Sequence, residues 1–146
     1  MNIIQKLLGQ SNIAATQPTR RVVDLVRWKG NGRFDVEVVG ESHYQRNLTQ
    51  ICGKRKEHGE NRIVDATIWL EDNNPYDDKA VRVTIGNLNV GHLNRMAAPV
   101  YRLRLIRDGH PLGVGMCKAK IKGGWKRGKD VGSYGVWLDL PRLTAR

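Results

Sequence analysis

The sequence predicts a mainly β fold, a small barrel of about six short strands with two short helices. Three features lead there. Apolar and polar residues alternate at a period of two in several short runs, the pattern of a strand with one buried face. Clusters of glycine, asparagine and proline divide these runs at close intervals. Beyond the extreme N-terminus, helical spacing of apolar residues occurs in only two stretches. Short strands left in an open sheet would expose unpaired edges, and closing the sheet on itself removes them.

The elements follow in chain order. Ile3, Ile4, Leu7 and Leu8 fall on one side of a short N-terminal helix ended by Gly9. Residues 10–21 read as a polar, basic linker, and residues 22–28 as a strand or a docked arm. Two glycines, Gly30 and Gly32, make a turn. The boundaries drawn are a basic arm over 1–33, a compact domain over 34–141 and a tail over 142–146. Within the domain, Phe34, Val36 and Val38 alternate with Asp35 and Glu37 in a strand that Gly40 stops. Ser42 is placed to cap a helix over 43–52, with Leu48, Ile51 and Cys52 on one face and Gly53 as its stop. After a charged loop, residues 62–70 are rich in β-branched side chains and form the next strand.

Residues 71–78, EDNNPYDD, suit only a loop. Two strands over 80–85 and 89–93 flank the turn Gly86-Asn87. Asn94 caps a helix running to about Arg107, with Met96, Val100 and Leu103 on one face, although Pro99 fits only in a helix's first turn. Cys117, Ala119 and Ile121 point inward from a strand over 114–122, and Lys118, Lys120 and Lys122 point outward. A glycine- and lysine-rich loop carries Trp125 as a lid or a stacking surface. Val136, Leu138 and Leu140 share one face of the last strand.

The chain has 146 residues, enough for one domain with a real core. No apolar run approaches the roughly 18 residues of a membrane span. The N-terminus lacks the long apolar core of a secretory signal, and two cysteines make no disulfide framework. A cytoplasmic location is expected. Lysine and arginine number 25 against 14 acidic residues, a net charge of +11. Residues 35–78 are acidic, with ten acidic side chains against five basic, whereas residues 79–146 carry fourteen basic against three acidic. Such a surplus points to a polyanionic partner, most often nucleic acid, rather than to a membrane.

The acidic loop is the most specific feature. Pro75 restricts its own backbone and that of Asn74. Asparagine stiffens turns by bonding nearby backbone groups. Tyr76, held in such a loop, is a platform on which a base can stack. A carboxylate beside it repels phosphate, but it is a strong acceptor for a hydroxyl. The free end of a nucleic-acid strand carries such a hydroxyl.

The segment NNPYDDKAVRV, followed after a turn by VGHLNR, resembles the signature of the HIRAN domain. VVGESHYQ upstream, and GGWKRG and YGVWLDLP downstream, fit the same family. The resemblance covers about residues 34–141. It implies a modified OB-like β-barrel that captures 3′-hydroxyl ends of single-stranded DNA without catalysing a reaction. By position, Tyr76 would stack on the terminal base and Asp77 would accept a hydrogen bond from the 3′-hydroxyl. Asn74 would contact the base or sugar, and His92 and Arg95 would hold the nearby phosphate. The family's second stacking ring, preceded by an arginine, falls here on His43, with Ser42 in the arginine position. Tyr44 is the alternative ring, and Arg46 the alternative cation.

No cofactor and no metal site are expected: cysteine and histidine show no zinc spacing. Two other readings stand beside end capture. One is a small metal-dependent nuclease built on Asp72, Asp77 and Asp78. The other is a module that docks on a DNA repair or replication protein through residues 1–28. DNA and RNA ends are not distinguished at this level.

Overall fold

A computed structural model describes residues 24–143. The N-terminal helix and linker expected over 1–21 and the last three tail residues lie outside the described residues. The chain is mainly β, a closed six-strand antiparallel barrel of OB-like form with one strand outside it and two short helices. The elements in order are β1 (Leu25–Arg27), β2 (Val36–Val39), a 3-10 turn (Glu41–Tyr44), α1 (Gln45–Cys52), β3 (Glu60–Leu70), β4 (Val81–Ile85) and β5 (Leu88–Leu93). There follow α2 (Ala97–Arg107), β6 (Val114–Gly123), a two-stranded hairpin of β7 (Lys126–Arg127) and β8 (Asp130–Val131), and β9 (Tyr134–Asp139).

The sheet runs β9-β2-β5-β4-β3-β6, and β6 pairs again with β9 to close the ring. The longest ladder joins β3 to β6 over nine registered pairs, from Glu60↔Gly123 to Ile68↔Gly115. β2 is the shortest stave. Its first half pairs with β9 (Val36↔Leu138, Glu37↔Trp137), and its second half pairs with β5 (Val38↔Leu93, Val39↔His92). β1 pairs parallel to the start of β6, at Val114–Met116, on the edge that β9 occupies further along. Residues 25–27, read from the sequence as strand or arm, are therefore a strand of the sheet. Trp28, just beyond, donates its indole N–H to the Tyr101 hydroxyl at 2.9 Å.

The core is filled by one face of each stave. Val38, Ala66, Ile68, Val81, Val83, Ala119, Ile121, Val136 and Leu138 are fully buried, with Leu48 of α1 and Tyr101 and Leu105 of α2 beside them. The inward and outward residues of β6 and β9 alternate as their sequence pattern requires. Both cysteines are buried and free. Burial pushes the Cys117 thiol up to about 12, so it offers no thiolate at neutral pH.

Three local expectations are corrected. Phe34 was expected inside the barrel with Val36 and Val38. Its backbone takes φ 50, the one positive value on a non-glycine among the described residues, which breaks the alternation before β2. Its ring lies instead against the Lys120 ammonium, 4.8 Å away. Ser42 makes no cap: the 3-10 turn starts at Glu41 after Gly40, which turns the chain with φ 76. The helix α2 buries Ala98, Tyr101 and Leu105, not the face of Met96 and Leu103, which is exposed. This helix has apolar residues on both sides, and the bond between Tyr101 and Trp28 holds the other face inward. Pro99 sits in the first turn of α2, where its missing N–H would have had no helical partner. Asn94 does serve this helix start, accepting from the N–H groups of Met96 and Ala97 at 3.0 and 2.8 Å.

A bulge in β5 bears on the site. Val83 pairs with Gly91 and Thr84 with Asn89, leaving Val90 as the extra residue. Val90 and Gly91 are both buried, and His92 then faces outward. Gly91 has φ 144, and a Cβ there would run into the Val39 carbonyl oxygen and the Val38 side chain. Gly91→Ala is expected to destabilise the protein by about 2 kcal/mol or more. A lowered midpoint in denaturant unfolding, measured beside the parent, checks this.

Candidate functional site

The ten-residue connection from β3 to β4 carries the candidate loop. Its base is closed by a hydrogen bond from the Glu71 N–H to the Ala80 carbonyl, 2.9 Å. Asn74 forms the turn that the proline invites: its side-chain oxygen accepts the N–H groups of Tyr76 (2.8 Å) and Asp77 (3.2 Å). Asp77 continues the pattern. One carboxylate oxygen accepts the Lys79 N–H at 2.9 Å, and its carbonyl accepts the Ala80 N–H at 3.2 Å. These short-range bonds hold the loop's shape without help from the Tyr76 ring, which is 85% exposed.

Two longer-range anchors hold the loop to the barrel. Glu71 is the first. One of its oxygens accepts from the Asn74 amide (2.8 Å) and from His92 Nε2 (3.0 Å), and the other lies 3.5 Å from Arg82 Nε. Since a carboxylate only accepts, His92 Nε2 carries the hydrogen in this contact. Burial pushes the Glu71 carboxyl up, but the hydrogen bonds from Asn74 and His92 and the charges of His92 and Arg82 outweigh it. Its pKa therefore lies below the ordinary value of 4.5. Arg82 in turn donates to the Asn89 side chain, 2.8 Å. The second anchor is Arg102 of α2, whose side chain is only 15% exposed. It pairs with Asp72 at 2.8 Å and donates to the carbonyls of Lys79 (3.0 Å) and Ala80 (2.9 Å), gripping both ends of the loop.

Against this braced loop lies a cavity of about 190 Å³, lined by Val39, Asn74, Tyr76, Asp77, Ala80, His92, Leu93 and Arg95. Five of the seven residues singled out from the sequence meet here: Asn74, Tyr76, Asp77, His92 and Arg95. They come from the loop, from the end of β5 and from the turn before α2. Arg95 is exposed and has no carboxylate partner among the described residues. The other two, His43 and Tyr44, do not line the cavity. They sit on the 3-10 turn, His43 exposed and Tyr44 half-buried. The wall opposite the loop is built by Val39, His92 and Leu93, where β2 and β5 pair.

Sequence reasoning missed Glu71 and Arg102. Glu71 reads as one more acid in an acidic loop. Arg102 lies 30 positions from Asp72, and no local pattern signals such a contact. The acids do not converge. Asp72 is taken by Arg102, Asp77 bonds the loop backbone, and no group of three or more metal-ligating side chains occurs among the described residues. Trp125 is half-buried at the foot of the β7–β8 hairpin, with the Arg127 guanidinium 4.8 Å from its ring. Among the described residues, no helix is long and apolar enough to cross a membrane. No family model, curated protein or solved structure matches the chain.

The depressed pKa of Glu71 has a stability consequence. A carboxylate bound more tightly in the folded state contributes stability that is fully present above its unfolded pKa. That contribution is lost as pH falls through the folded value. Glu71→Gln is expected to lower stability at neutral pH and to flatten part of the acid-side decline. Denaturant midpoints followed from neutral pH down through the carboxylate range test both parts.

Proposed function

We propose that this chain carries a HIRAN-type module that captures 3′-hydroxyl ends of single-stranded DNA and catalyses no reaction. The observation that carries the reading is the gathering of an exposed ring, a carboxylate and an exposed arginine around one small cavity. Tyr76 stacks on the last base, an interaction worth about 1–3 kcal/mol. The Asp77 oxygen not used by Lys79 accepts the 3′-hydroxyl proton. A 3′-phosphate in the same place would set an anion against a carboxylate and be rejected.

Two roles change once the contacts are considered. The Asn74 amide holds the turn, which leaves one of its N–H groups for the nucleotide. His92 donates Nε2–H to Glu71, so its other ring nitrogen can donate to a phosphate only when the ring is doubly protonated. Arg95, which carries its charge at any working pH, is then the cation that holds the phosphate. The chain's net charge of +11 attracts the rest of the strand with an affinity that falls as salt rises.

Polarisation titrations of one oligonucleotide with a 3′-hydroxyl, with a 3′-phosphate and as a closed circle are the direct test. The hydroxyl form should bind tightest, and Tyr76→Ala and Asp77→Ala should abolish the preference. Equal binding of all three forms would overturn the reading. Arg95→Ala should weaken binding of the 3′-hydroxyl form and reduce its slope of log affinity against log salt by about 0.7, the value for one phosphate contact on a single strand.

A further inference from the structure

The outer face of the barrel carries a second feature, centred on β6 and β9. Four strands run side by side there, and a registered row crosses them: Ile63 of β3, Lys120 of β6, Trp137 of β9 and Glu37 of β2. Ile63 is exposed, and Lys120 and Trp137 are half-exposed. The neighbouring row is Asn61, Lys122 and Gly135. The Lys122 ammonium lies 5.3 Å from the Trp137 ring, and the Lys120 ammonium lies 4.8 Å from the Phe34 ring. Two aromatic rings thus alternate with two lysines on one sheet surface.

Three details mark this surface as built. A Cβ at Gly135 would meet Trp137, and the three nearest atoms to it all belong to that indole, so the glycine lets the ring lie down on the strand. Phe34 reaches the same surface only through a left-handed backbone that a bulky residue rarely adopts, and such strain tends to gather where function holds it. Of the acids nearby, Asp65 and Asp139 are engaged, whereas Glu37 beside Trp137 is exposed and has no cation partner among the described residues. Lys118 pairs with Asp65 at 2.7 Å, and Asp139 accepts the Gly32 N–H at 3.0 Å. Among the described residues, Lys120 and Lys122 have no such carboxylate partner.

We infer that the Phe34–Lys120–Trp137–Lys122 face is a second binding surface, one that takes the interior of a single-stranded nucleic acid irrespective of its ends. The charge sets the class of partner: unpaired lysines between flat rings match a strand that offers phosphates and bases in alternation. Each lysine resting over a ring is free to swing to a phosphate as a base replaces it on the ring. A double helix keeps its bases stacked on one another and offers nothing to the rings.

This inference does not rest on end capture, and a closed circular oligodeoxythymidylate separates the two because it has no end. The intact chain should bind the circle, and Trp137→Ala should weaken that binding at least about five-fold, the lower bound for one stacked base. Gly135→Ala should weaken it in the same direction with every charge kept, by lifting the indole. Lys120→Ala with Lys122→Ala should lower affinity and flatten the salt dependence. All three variants should keep the parent's circular dichroism and a cooperative denaturant transition, which report that the barrel is folded whether or not ends are captured. The inference is overturned if the parent ignores the circle, or if folded variants bind it as the parent does.

Discussion

Closure of the barrel through the four residues of β2 is the constraint on which the rest depends. Each half of β2 belongs to a different neighbour, so Val36–Val39 is the seam that joins β9 to β5. Without it the sheet would open and show the edges of β9 and β5 to solvent. The seam is short but tightly placed. Val38 is fully buried, and the Val38 side chain and Val39 backbone lie so close to Gly91 that no side chain fits there. The same seam forms one wall of the candidate cavity, since Val39 and His92 are paired in register. Stability and the shape of the site therefore share one set of contacts.

On the other wall the ordering problem is different. A ten-residue loop with four acids and one proline would repel itself if its charges stood free. Local bonds from Asn74 and Asp77 give the turn its form, but they do not attach it to anything. Attachment comes from Glu71 below and Arg102 to the side. Both are multiply bonded, and both tie the loop to elements already fixed by the core, His92 on β5 and the helix α2. Because the protein holds the loop by its backbone and its acids, the Tyr76 ring is left in solvent. An exposed ring on a rigid support loses little entropy when a flat partner stacks on it.

Two surfaces of unlike chemistry result. The cavity joins an anion, a ring and an arginine that has no carboxylate partner among the described residues, a combination suited to a single terminal group. The outer face of β6 and β9 repeats ring and lysine across registered strands, which suits a continuous strand. The strong surplus of basic residues after position 78 would draw a polyanion to either proposed surface, since long-range attraction depends on total charge more than on detail.

Much of this was legible in the sequence, for identifiable reasons. Period-two alternation placed β6 and β9 and the inward faces they present, because a strand's two faces see different solvents. The loop over 71–78, the turn at Gly86 and the helix start at Asn94 followed from residues whose own side chains or backbones set the local geometry. The tertiary structure alone decided what no neighbour in sequence could. It turned Tyr101 rather than Leu103 inward on a helix with two apolar faces, and it forced Phe34 out of the barrel. It inserted the bulge that aims His92, and it brought Arg102 back to Asp72. The physical division is one of range: turns, caps and alternation are set by interactions within a few residues, whereas the choice of face and the partners of Glu71 and Arg102 exist only once the sheet has closed and distant segments are held together.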